Sequence, residues 1–249
     1  MKHNNVSVHI QRVLFPALTL LLAMLILPAC KTGKDTSADL VPFSPQSCLA
    51  QLHVDKAAYP NLFSARSYAL WVGPEITRQR RDEAVQAGEQ ITDDTDKAAA
   101  EIDENFLILE CHIESVFEDM SIGYDAVGFR GIELCLQAPD GARIPPAQVI
   151  MGSALEEKPQ GALKIFRRTN LIVFPKKNLN LMAPLSAEKP PSARLVLEGF
   201  NSTFYFEWFA DVPSGQTSQP ILTREDLNAA KMKYDEYCQK LYQFLHRFD

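Results

Sequence analysis

Basic charge is in short supply. The chain carries 25 lysines and arginines against 31 acidic residues, a formal net charge of −6, and that balance argues against nucleic acid as a partner. Histidine is scarcer, with five in the whole chain and only His53, His112 and His246 beyond residue 30, which leaves few imidazoles from which to build a metal centre. The five cysteines contain no CxxC pair, so the close spacing used by soft-metal and redox sites is missing. GxSxG, HExxH, P-loop and GxGxxG patterns are absent, and no internal repeat is present. Residues 13–29 are free of charge, but Pro16 and Pro28 interrupt them and they stop at Cys30, short of the about 20 apolar residues that a membrane-crossing helix needs.

That short apolar stretch has another use. Lys2 and Arg12 frame a basic start ahead of it, the layout of a secretory signal. Leu27-Pro28-Ala29-Cys30 follows and resembles the bacterial lipobox, with a branched residue three positions before the cysteine and a small residue directly before it; Pro28 departs from the usual small or hydroxyl residue between them. The resemblance implies that residues 1–29 are removed and that Cys30, whose thiolate is the nucleophile such a modification requires, carries lipid. Lys31 rather than aspartate comes next, which by the same resemblance implies an outer-membrane address in a Gram-negative cell envelope. Each buried methylene of an acyl chain contributes about 0.8 kcal/mol, so several chains on one residue anchor stably and no second membrane element is needed. Residues 30–45, small, polar and holding Pro42 and Pro45, read as a flexible tether.

Loss of the leader removes Lys2 and Arg12 and no acid, so the mature chain is more acidic still and steers toward basic partners. Its remaining cysteines, Cys48, Cys111, Cys135 and Cys238, are even in number in an exported chain, which predicts two disulfides with three connectivities open.

Residues 46–105 read as a mixed region: a strand at 68–72, a helix opened by Pro74 and Glu75 and ended near Gly88, and an acidic stretch at 82–104 that fails the EF-hand pattern. Residues 106–211 carry short apolar runs with period-two alternation between turn signals. At 106–117, Leu107, Leu109, Cys111 and Ile113 share one face, and Glu110, His112 and Glu114 the other. Ile132, Leu134 and Leu136 point inward from the next strand, Pro139-Asp140-Gly141 reads as a tight hairpin turn into a strand at Ile144 to Met151, and Pro145-Pro146 marks an edge or bulge. Arg167-Arg168-Thr169-Asn170 reads as a hairpin tip, residues 175–191 as a loop, and 194–209 as strand, turn and strand. About seven strands in about 105 residues is the density of an immunoglobulin-like antiparallel β-sandwich. Residues 212–249 hold a linker and an amphipathic helix from Thr223 to 248 with a stripe through Leu227, Tyr234, Tyr237, Leu241 and Leu245. The expected fold is therefore mainly β, with a C-terminal α-helix and a partly helical N-terminal region.

Candidates for chemistry are few. Glu110, His112 and Glu114 project from one strand face, where they could meet a cation, although such a face ordinarily meets water. The stretch 118–128, with Glu118, Asp119, Tyr124 and Asp125, reads as a loop suited to a ligand or calcium. Ser186 and Lys189 match the SxxK pattern, but among prolines rather than on a helix. No cofactor and no catalytic residue is expected. The favoured reading is a lipid-anchored envelope module that binds another envelope protein or a glycan, or serves as adaptor or structural subunit. Two alternatives remain: an envelope hydrolase or metal-dependent enzyme using His112 and the 118–128 loop, and a small-ligand receptor.

Overall fold

The computed structural model describes residues 40–59, 62–160, 163–184, 190–211 and 234–245. The lipobox with Cys30, the SxxK pair Ser186 and Lys189, and His246 lie outside the described residues.

Among these residues the fold is mainly β. Strand β1 (Leu40–Pro42) makes a two-stranded ribbon with β9 (Met182–Pro184). Strands β2 (Leu49–Lys56), β3 (Tyr68–Val72), β4 (Phe106–Phe117), β5 (Ile132–Gln137), β6 (Arg143–Ile144), β7 (Gln148–Gln160), β8 (Leu163–Pro175), β10 (Ser192–Gly199) and β11 (Ser202–Phe209) build one nine-stranded antiparallel sheet, in the order β6-β5-β10-β11-β2-β3-β4-β8-β7. The helices are α1 (Pro74–Gln86), α2 (Asp93–Asn105), α3 (Met120–Val127) and α4 (Tyr234–Leu245), and a 3-10 turn occupies Lys176–Asn178.

Strand alternation sends one apolar row from every long strand to the same interior. Leu109, Cys111 and Ile113 of β4, Phe166, Ile172 and Phe174 of β8, Leu195 and Leu197 of β10, and Phe204, Phe206 and Trp208 of β11 all belong to one core cluster, joined by Leu134 and Leu136 of β5 and, part-buried, Val149 of β7. Fully burying a side chain of this kind contributes about 1.5–3 kcal/mol. The indole N–H of Trp208 donates to the Cys48 carbonyl at 3.0 Å, so burial strands no donor.

Residues from opposite ends of the strand order can share a core only because the sheet curls, and β2 is the corner. Its residues Leu49, Ala50 and Gln51 pair with β3, whereas Leu52, His53 and Val54 pair with β11, where the register shifts. A strand that changes partner along its length turns one sheet half against the other. The immunoglobulin-like sandwich expected from strand density is not recovered in that form, because the two halves are one hydrogen-bonded order continuous through β2. Strands β2 and β3, on the N-terminal side of the boundary drawn at 106, supply the middle of that sheet.

The opposite face of β3, β4 and β8 is covered by helices. Leu70, Val72, Ile108, Leu171 and Val173 meet Ala84 of α1, Ala99 and Ile102 of α2, and Tyr234, Tyr237 and Leu241 of α4. The C-terminal stripe thus packs on its own sheet. Pro74 opens α1 and Gly88, at φ 82°, follows its end. Thr92 caps α2 by accepting from Thr95 N.

Several sequence expectations change. Cys48, Cys111, Cys135 and Cys238 form no disulfide among the described residues. Cys111 faces the interior and Cys238 the helical layer, with the sheet between them, while Cys135 lies on β5, five strands along the order from β4, where its sulfur accepts from Arg143 Nε. A disulfide needs side chains that point toward each other, and Cys111 points away from the layer that holds Cys238. Residues 167–170 are not a hairpin tip but the middle of β8. Residues 120–127 form a helix, not a loop. At the end of the expected tether, residues 40–45 are docked: Phe43 is buried against Trp71, Pro45 bridges Ala210, and β1 is paired.

Candidate functional site

Curling brings the two outermost strands of the sheet together, and the chain itself joins them. Ile144 ends β6 at one edge and Gln148 begins β7 at the other. Four Cα steps separate them, and an extended chain spans at most about 3.3–3.6 Å per residue, so the edges lie within about 14 Å. Two of the three linking residues are Pro145 and Pro146, which have no N–H to extend a ladder. The sheet therefore approaches closure and stops, leaving a seam.

Helix α3 fills the interior beside that seam. Asp119 caps it, its carboxylate accepting from Ser121 N at 2.7 Å and Ile122 N. Gly123 lets the helix sit directly on β8: a Cβ there would fall 2.2 Å from Phe166 Cδ2. Tyr124 meets the same ring edge-on. At the other end, the fully buried Asn170 donates to the Val127 carbonyl at 2.8 Å, fixing the helix terminus to the strand. The chain then turns sharply through Phe129 (φ 56°) and Gly131 (φ 74°) into β5; Gly131 adopts this left-handed conformation freely, whereas Phe129 is held in it by burial and by the backbone bonds Phe129 N to Ala126 O and Ile132 N to Phe129 O.

The result is a cleft of about 250 Å³ lined by Gly128, Phe129, Ile132, Leu134, Pro146, Val149 and Met151. The lining is apolar, drawn from both sheet edges and the end of α3. One cation borders it. Arg168 Nη1 lies 3.4 Å from Met151 Sδ, and a Cβ on Gly128 would come within 2.8 Å of the same nitrogen. Among the described residues Arg168 Nε is buried without an acceptor.

The residues singled out from sequence go elsewhere. Glu110 pairs with Arg80 at 2.8 Å, with side chains only 4% and 2% exposed, and Arg80 also lies over the Tyr237 ring. Removing either partner of such a pair strands the other charge at a cost of about 3–5 kcal/mol. Glu114 pairs with Arg167 at 2.6 Å. His112 stacks on Tyr68 and faces Thr169 Oγ1 at 3.4 Å; burial, then the Arg167 charge, pulls its pKa below the ordinary value of 6.5, against an opposing effect of Glu114. Asp119 is a helix cap whose hydroxyl and amide donors from Ser121 hold its carboxyl below the usual range. Asp125 lies 3.4 Å from Arg130. Glu118 is exposed. Among the described residues no group of three or more His, Cys, Asp and Glu side chains is placed to hold a metal ion.

The sequence reading missed Arg168 because it assigned residues 167–170 to a turn. A signal was present: on an unbroken strand, Arg168 shares parity with Phe166, Ile172 and Phe174, the row that faces the interior.

No protein-family model, curated protein or solved structure matches the chain.

Proposed function

We propose that the mature chain is a lipid-anchored cell-envelope binding module that takes a small ligand at the seam of its curled sheet. The lipobox at residues 27–30 supports the envelope half of this reading. The seam cleft carries the binding half: concave, mostly apolar surface with a few placed polar groups is what small-ligand sites share. The rival enzymatic reading rests on Glu110, His112, Glu114, Asp119 and Asp125, and each of these is engaged by a cation, a stacked ring or a helix terminus.

A protein partner is the second reading, favoured by β7, an edge strand on which Met151 and Leu155 are 55% and 63% exposed. Such an edge accepts an added strand.

Benzyl alcohol tests the cleft. A compound that binds the native state raises the melting temperature, so the alcohol is expected to stabilise the wild-type chain and to lose that effect in Val149→Trp, which fills the cleft. Equal stabilisation of both chains, or of neither, removes the cleft as the site.

A further inference from the structure

We propose that the seam cleft selects a small amphipathic carboxylate, its apolar part against Ile132, Leu134 and Val149 and its carboxylate on the guanidinium of Arg168. The proposal rests on the binding reading above and adds the ligand's charge.

Arg168 is the observation that asks for an anion. It sits in the inward row of β8, where Phe166, Ile172 and Phe174 are core residues. Arg167, its neighbour on the outward row, is neutralised by Glu114. Among the described residues no carboxylate pairs with Arg168; the contact of its Nη1 is the Met151 sulfur at 3.4 Å, and its buried Nε has no acceptor. A thioether is a weak acceptor and brings no negative charge. The guanidinium is part-buried, its Nε shielded and its Nη1 beside the exposed Met151, and it still holds a planar fork of donors, which matches the two oxygens of a carboxylate.

Gly128 provides the approach. It lines the cleft and has no side chain where a Cβ would press on Arg168 Nη1 at 2.8 Å and reach Met151 Sδ at 3.6 Å. The guanidinium and the apolar lining therefore meet at one point of the wall. The cleft is open to solvent and its volume of about 250 Å³ exceeds the roughly 150 Å³ cavity that accommodates benzene, so a single ring or a short alkyl chain has room against its wall.

Benzoate and benzyl alcohol are matched probes, alike in ring and different in charge. Calorimetric titration of the acylated mature protein in lipid nanodiscs, with empty nanodiscs as reference, is expected to show benzoate binding more tightly than the alcohol. Arg168→Gln is expected to weaken benzoate about tenfold or more, the worth of a hydrogen bond to a charged group, and to leave benzyl alcohol within about twofold. Gly128→Ala, which displaces the guanidinium head, should act in the same direction. Arg168→Lys keeps the charge and should retain a reduced preference for benzoate, so a folding defect in the glutamine variant does not decide the outcome. Equal affinity for the two probes, or an Arg168→Gln chain that binds benzoate as the wild type does, overturns the charge assignment while the cleft reading stands. Failure of both probes to bind overturns both.

Discussion

His112 shows how one residue can couple this fold to pH. Its ring is stacked on Tyr68 and largely buried, and the charged groups nearest it are Arg167, which disfavours its protonation, and Glu114, which favours it. Burial and Arg167 prevail, so the folded chain binds the imidazole proton less readily than the unfolded chain does. The sign follows from linkage: where the unfolded state takes up more protons, stability falls as pH is lowered. The contribution is intact above 6.5, the ordinary value, and is lost as pH falls through 6.5 toward the lower folded value. Urea unfolding at pH 7.5 and 5.5 should show a loss for the wild type that is smaller in His112→Gln. An equal loss in both chains would assign the pH response to other groups.

Helix α3 is the element on which the site turns, since it fills the curled sheet and its terminal Gly128 and Phe129 form part of the cleft. Its seating depends on a missing side chain. With Phe166 Cδ2 at 2.2 Å from a Cβ at Gly123, Gly123→Ala must displace either the helix or a fully buried ring. Overpacking of this kind costs about 1–3 kcal/mol. The variant should melt lower, and Phe166→Leu added to it should recover part of the loss, because the smaller side chain admits the methyl group. A double variant no more stable than Gly123→Ala would mean that the contact with Phe166 is not what limits the helix. Strand β8 illustrates why sequence misread an element here. Residues 167–170 are polar enough to suggest a turn, but three of the four meet a specific polar partner: Arg167 meets Glu114, Thr169 meets His112, and Asn170 meets the Val127 carbonyl. Those partners are distant in sequence, so local pattern could not supply them.

At the scale of the whole molecule, the proposed anchoring at Cys30 is a single-residue property with a cellular readout. Cys30→Ser should move the protein from the membrane fraction to a soluble or unprocessed form, because one cysteine bears every acyl chain invoked. Persistent tight association of that variant with membranes would refute the lipoprotein reading. Among the described residues no helix is long and apolar enough to cross a membrane.

What sequence alone determined was whatever depends on neighbours in the chain. Period-two alternation marked β4, β5, β10 and β11, the Pro-Asp-Gly turn lies where it was expected, with Gly141 at φ 85°, although the strand expected after it at 144–151 divides between β6 and β7 at opposite edges of the sheet, and Pro74 opened α1. The proposed leader and lipobox rest on local patterns of the same kind. Tertiary structure decided the rest. Strand β2 escaped the sequence reading because it divides its hydrogen bonds between two partners, one per half. The two prolines at 145 and 146 announced an edge, but only the order of the strands reveals that they join both edges of one sheet. The charges of Glu110 and Glu114 belong to arginines of α1 and β8, and Arg168 gains its meaning from Gly128 and Met151. The physical reason is common to all of these: alternation states which way a side chain points, and the curl of the sheet states what it meets there.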